Sequence, residues 1–429
     1  MIHKITLLAA AITMATPGAS AASEAPAFRE YFSDSTLRLD YQFGGDAKTQ
    51  HVMLSRQSKS AGWAGRHSRL TELPLTGNGT VTLTDAATGD TIYRTSFSSL
   101  FHEWLSTDEA QTTQRAMENT FLVPLPRVEA DVHIELLDSR HRPMAAMTHR
   151  YRPDDELVAT DKRTPNPHRY LHRSSDPANA IDVAILAEGY TAAEMDSFYS
   201  HAAVAVESIL AHEPFKSLAD RFNFIAVASP SDDTGVSVPR LDDWRSTAFG
   251  SHFSTFYSDR YLTTPSLFRV HDALRGIPYE HIIILANTEE YGGGGIYNSY
   301  TLTAARHPLF RPVVVHEFGH SFGGLADEYF YENDVMTDTY PTDVEPWEPN
   351  ITTMRDFASK WKHLLPAETP IPTPTADAAK YPVGVYEGGG YSFKGVYRPA
   401  DECRMRNNTY PSFCPGCNDA LIKLINFYR

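Results

Sequence analysis

The sequence predicts an α+β protein: an antiparallel β-sandwich followed by an α/β domain whose sheet is mixed but mainly parallel. Three observations carry this reading. Residues 22–155 hold short runs that alternate apolar and polar side chains between turn residues, the pattern of half-buried antiparallel strands. From Ile181 onward the apolar runs are continuous and alternate with helical periodicity, as expected of strands covered on both faces. The stretch around residues 311–324 reads as one buried helix, with Pro308 or Pro312 in its first turn and Gly323-Gly324 at its end.

In chain order, the 429 residues open with Lys4, an apolar run from Ile5 to Ala15, and Ala19-Ser20-Ala21. That is the build of a cleaved secretory signal over residues 1–21, too short to span a bilayer, and it predicts an exported protein. Strands are expected at 37–43, at 80–84 and 91–95 around a turn containing Gly89, and at 132–137 and 147–151. A short helix fits within 99–118. No catalytic grouping is visible in this half, which reads as a packing or accessory domain. Residues 156–180, rich in Pro, Arg and Asp, read as a linker to a domain at 181–429. In that domain 183–187, 222–228 and 281–287 are buried strands. Thr191 and Glu194 form a capping box for a helix that turns Met195, Phe198, Tyr199, Ala202, Val206, Ile209 and Leu210 inward. Four glycines at 292–295 lead into an edge strand at 296–303, a place where a peptide can add through main-chain hydrogen bonds. A helix at 418–428 closes the chain.

The predicted helix carries the one signature with direct chemical content, His316-Glu317-Phe318-Gly319-His320. Residues four apart share a helix face, so the two imidazoles can reach one ion. Zn²⁺ suits neutral imidazole nitrogens, and its catalytic sites keep one position for water. Glu317 is placed to act on that water as general base. A third ligand is expected soon after the glycines. Asp327 is the first choice and Glu328 the alternative, and the acid that does not ligate can orient a ligand histidine. A glutamate from a later helix would make a different zinc hydrolase, but residues 331–378 are acidic and proline-rich and offer no clear helix.

The formal charge is −15, or −16 once Lys4 leaves with the signal. That sign argues against nucleic acid and anionic membrane as partners, and no later run is long and apolar enough to span a bilayer. A protein or peptide substrate is the partner that fits. Asp334, Asp338, Asp343, Glu345 and Glu348 are candidate oxygen ligands for Ca²⁺, without the spacing of an EF-hand. Cys403, Cys414 and Cys417 predict one disulfide in an oxidising compartment, with the pairing open. Cys414 and Cys417 also have the spacing of a redox or zinc pair, though no second such pair exists.

Residues 316–329, the strand end at 185–190, and the Cys403, Met405, Cys414, Cys417 ending together resemble the immunoglobulin A peptidase family of bacterial metzincin-like zinc endopeptidases. The resemblance runs along most of the chain and implies a β-domain ahead of a metzincin-like protease domain. It implies His316, His320 and an aspartate after the helix, best matched by Asp327, as zinc ligands. Glu317 would be the catalytic base and Met405 the residue of the methionine turn. Tyr410, nearby, is a candidate donor to the oxyanion. The resulting expectation is an exported zinc-dependent endopeptidase that hydrolyses peptide bonds by zinc-activated water, whether periplasmic, surface-held or released. The contrasting reading is a binding or adhesion protein that works through the β-domain and keeps zinc for structure alone.

Overall fold

The computed structural model describes residues 27–332 and 339–428. The expected signal segment and Asp334 and Asp338 lie outside the described residues.

The first half runs through α1 (Phe28–Tyr31), β1 (Phe32–Gly45), β2 (Gln50–Ala61), β3 (Gly79–Asp85), β4 (Thr91–Phe97), α2 (Leu100–Trp104), β5 (Arg115–Pro126), β6 (Ala130–Leu137), β7 (Pro143–Tyr151) and β8 (Ala159–Thr160). It forms two four-stranded sheets, ordered β5-β1-β2-β8 and β4-β3-β6-β7. Alternation is what joins them: Leu39, Tyr41 and Phe43 of β1 and Val81, Leu83 and Ile134 of the other sheet enter one shared core. The strands expected from alternation are all present, as is the short helix α2, whose N-terminus Ser99 caps by accepting from the His102 N–H.

The second half holds β9 (His168–His172), β10 (Ile181–Glu188), α3 (Met195–Leu210), β11 (Phe222–Val227), α4 (Leu267–Ala273), β12 (His281–Ala286), β13 (Gly293–Ile296), β14 (Tyr300–Ala304), α5 (Phe310–Ser321), β15 (Tyr386–Gly389), β16 (Ser392–Arg398) and α6 (Pro415–Tyr428). Its six-stranded sheet is ordered β13-β14-β12-β10-β11-β9. The inner four strands are parallel and both edge strands antiparallel. The continuous apolar runs have their reason here. Val183, Ile185, Phe224 and Ile283 face the layer containing α3, α5 and α6, whereas Ala184, Leu186, Ile225 and Ile284 face a second layer containing α4. The capping box before α3 is made by Thr191 and Glu194. Among the described residues no helix is long and apolar enough to cross a membrane.

The halves are joined by charge. On β1 the polar residues Arg38 and Asp40 are buried: Arg38 and, from β2, the half-exposed Arg56 both reach Asp272 of α4, at 2.6 and 3.0 Å, and both pair with Asp40. Two local expectations differ from the structure. The stretch read as a linker donates β8 to the first half and β9 to the second. Its side chains are mostly exposed, so composition reported solvent while the main chain made the ladders. The glycines are themselves the edge strand β13, and a turn at Asn298, with φ +51°, carries the chain back as the interior strand β14.

Glu188, at the end of β10, is fully buried and organises the loop beyond it. Its carboxylate accepts from the Thr247 hydroxyl at 2.7 Å and from the Phe249 and Ser251 N–H groups at 2.9 and 2.7 Å. Glu188→Ala strands these donors in the core at about 1–3 kcal/mol each. Urea unfolding is therefore expected to show a loss of several kcal/mol.

Candidate metal centre

Helix α5 buries Val313, Val314, Val315 and Phe318 and has no solvent face to speak of. It ends because Gly324 takes φ +59° and its N–H returns to the His320 carbonyl at 2.9 Å. That left-handed cap suits glycine. The chain then turns back along the helix and brings Asp327 to it.

One helical turn places the His316 and His320 Nε2 atoms 3.0 Å apart. Asp327 Oδ1 lies 3.1 Å from the first and 3.4 Å from the second. The other ring nitrogens are pinned: His316 Nδ1 faces the Arg404 carbonyl at 3.0 Å, and His320 Nδ1 faces the Leu325 carbonyl at 2.6 Å. A carbonyl can only accept, so each neutral ring carries its proton on Nδ1 and turns an Nε2 lone pair inward. Two lone pairs and a carboxylate oxygen so close repel one another unless positive charge lies among them. Asp327 Oδ1 is buried and accepts no hydrogen bond, while Oδ2 takes the Tyr391 hydroxyl at 2.5 Å.

The donor set can be tested against an ion. Nitrogen and oxygen ligands about 2.0–2.1 Å from one tetrahedral zinc stand about 3.3–3.4 Å apart. The three separations here match that within a few tenths of an ångström. Burial disfavours charge on His320, yet the Asp327 carboxylate lifts it to about 9. Burial likewise opposes ionisation of Asp327, but the imidazoles hold it far below the usual carboxylate range. The protein thus draws positive charge to this point, and two imidazoles with a carboxylate fit zinc.

Glu317 lies beneath β13. A Cβ on Gly293 would stand 2.8 Å from Glu317 Oε1, and one on Gly295 would stand 2.3 Å from the Glu317 carbonyl. Glycine alone lets the strand approach so closely. Burial raises the Glu317 carboxyl above its ordinary range, against the pull of His316 and His320. The edge of β13 is not wholly open, because Tyr261 bridges to Gly293 from outside the sheet.

Met405 is fully buried under the helix, where a Cβ on Gly319 would meet its Sδ at 2.8 Å. Its carbonyl accepts the Glu328 N–H at 2.9 Å. Glu328 itself faces away from the histidines toward the cysteines, with Oε1 3.0 Å from Cys417 Sγ. Tyr410 sits on the turn whose Asn407 carbonyl takes its N–H, and among the described residues it makes no hydrogen bond into the cluster. The expected disulfide is absent among the described residues: all three cysteines are free, and Cys403 and Cys417 Sγ are 3.7 Å apart. The three described acids among those proposed for Ca²⁺ do not gather either. Asp343 pairs with Arg140, Glu345 caps the Arg355 and Asp356 N–H groups, and Glu348 takes the Tyr340 hydroxyl. Among the described residues they form no metal-competent group.

Sequence reasoning missed Tyr391, which precedes β16, and Glu103, which comes from α2 in the first half. Glu103 accepts the Tyr261 hydroxyl and lies within electrostatic reach of His320, Asp327 and Glu317. Burial pushes its carboxyl up from 4.5 to about 7. A carboxyl raised on folding favours the folded state fully below about pH 4.5, and that contribution fades as pH rises through about 7. In chelator-treated protein, Glu103→Gln is expected to flatten the fall in melting temperature across that window.

Residues 170–381 match the family described as IgA Peptidase M64, and residues 27–148 match Peptidase M64 N-terminus. No curated protein matches the chain.

Proposed function

Given that the chain belongs to the IgA Peptidase M64 family and is therefore a peptidase acting on protein, we propose that it is an exported zinc endopeptidase with a metzincin-like catalytic domain. In this reading His316, His320 and Asp327 hold the metal and Glu317 is the general base. The convergence of His316 Nε2, His320 Nε2 and Asp327 Oδ1 within 3.4 Å of one another, in the separations of a zinc ligand set, carries it.

Held by these three residues, zinc would supply a Lewis acid for the scissile carbonyl and would bring the pKa of a bound water toward neutrality. Glu317 accepts the proton of the attacking water and returns it to the leaving amine. The Arg404 and Leu325 carbonyls fix the imidazoles, and Tyr391 fixes the carboxylate. Residues of the first half, Glu103 above all, border the site, so that half acts with the catalytic one rather than apart from it.

Proteolysis of casein and gelatin by the purified chain, with and without a chelator, tests the reading. Cleavage lost on chelation and restored by zinc supports it. Absence of cleavage on every substrate, with zinc firmly bound, favours the binding-protein alternative. Tyr391→Phe is expected to weaken zinc binding by about 10–100-fold, the usual cost of losing a group that orients a ligand. Competition with a fluorescent chelator measures it.

A further inference from the structure

Behind the helix lies a second grouping that the peptidase chemistry does not use. Glu328, Cys403, Cys414 and Cys417 are all buried, and each offers a ligand atom within 4.8 Å of the other three. They come from three places in the chain: the residue after Asp327, the turn after β16, and the start of α6, where Cys414 precedes Pro415 and Cys417 lies in the first turn. We propose that these four residues form a closed, thiolate-rich site for a structural zinc ion.

The spacing is that of a coordination shell. Sulfur ligands about 2.3 Å from one tetrahedral zinc stand about 3.8 Å apart. Cys403 and Cys417 Sγ are 3.7 Å apart. An oxygen and a sulfur ligand would stand about 3.6 Å apart; Glu328 Oε1 is 3.9 Å from Cys414 Sγ and, closer than that, 3.0 Å from Cys417 Sγ. A disulfide brings its sulfurs to about 2.05 Å. It would join two of them and leave a thiol and a carboxylate buried together. Glu328 is 0% exposed, and its Oε2 has no hydrogen-bond partner. Burying such a group costs several kcal/mol unless a partner compensates, and a dication is that partner.

Main-chain groups are aimed at two of the sulfurs. The Cys414 N–H points at Cys403 Sγ at 3.2 Å, and the Cys417 N–H at Cys414 Sγ at 3.5 Å. The N-terminus of α6 favours negative charge. Arg398, 1% exposed, lies within electrostatic reach of Glu328, and Asn350 Nδ2 donates to Glu328 Oε1 at 3.0 Å. Three sulfurs exclude calcium and magnesium as occupants and select zinc among common ions. Four protein ligands leave no place for water, so the ion braces rather than catalyses. What it braces is next door: Asp327 precedes Glu328, and the Arg404 carbonyl that orients His316 follows Cys403.

The test is metal content with cobalt spectroscopy on the full chain, purified without reductant and without chelator. Wild type is expected to hold two metal equivalents. Replacing both His316 and His320 with Ala is expected to leave one equivalent, and cobalt there should show sulfur-to-cobalt charge-transfer absorption. Cys417→Ser should lose that absorption and one equivalent. The decisive outcome does not depend on how any variant folds. Wild type that holds a single equivalent, with no cobalt–sulfur band and a mass two hydrogens below the fully reduced chain, carries a disulfide instead, and the proposal is then wrong. The result is independent of proteolysis, so it can fail while the peptidase reading stands.

Discussion

Glu317→Gln is expected to retain the metal of wild type while cutting the rate of peptide hydrolysis by about 10²–10⁴-fold, the range a positioned general base contributes. The amide keeps the size of the carboxyl and its place under Gly293 and Gly295, so folding should be little changed. What disappears is a group able to take a proton from water and give it back. Metal analysis and turnover of a fluorogenic peptide, measured on the same preparation, separate the two effects. Full activity in this variant removes Glu317 from the mechanism.

Asp327→Ala should do more and do it differently. Removing this carboxylate deletes one of the three proposed ligands and the partner of the Tyr391 hydroxyl. It also leaves two Nε2 lone pairs 3.0 Å apart with no anion to hold a cation between them. The expected outcome is loss of metal from the helix site at ordinary zinc concentrations and loss of hydrolysis with it, measured by metal content after gel filtration. Glu328→Ala, one residue along, is predicted to spare the helix site's ligands and to disturb the cysteine cluster instead. If Glu328→Ala empties the helix site while Asp327→Ala leaves it filled, the assignment of the two acids must be exchanged.

How much of this was legible in the sequence varied with the range of the interaction. Helical spacing alone dictates that His316 and His320 share a face, and two-residue alternation dictates which side of β1 or β10 meets which layer. The glycine pair predicted the end of α5, and Gly324 adopts the left-handed cap that stops it. Features made by distant residues were not legible. Glu103 reaches the site from the first half, and nothing in its local sequence marks it. Tyr391 binds Asp327 across 64 positions. At 156–180 composition reported the exposure but not the two short edge strands, because exposed side chains on edge strands resemble those of a loop. The cysteines were misread for a related reason. Local spacing offered a Cys pair and a spare, and the partner that makes them a four-group cluster, Glu328, lies 75 or more residues upstream.

The central claim is that one zinc ion sits among His316, His320 and Asp327 with a coordination position left for water. Diffraction data collected on either side of the zinc absorption edge from zinc-loaded crystals test it most directly. The account predicts an anomalous peak about 2.0–2.2 Å from both Nε2 atoms and an Asp327 oxygen, with no fourth protein ligand. Imidazoles turned apart with no peak between them, or a fourth protein side chain closing the ion, would contradict it.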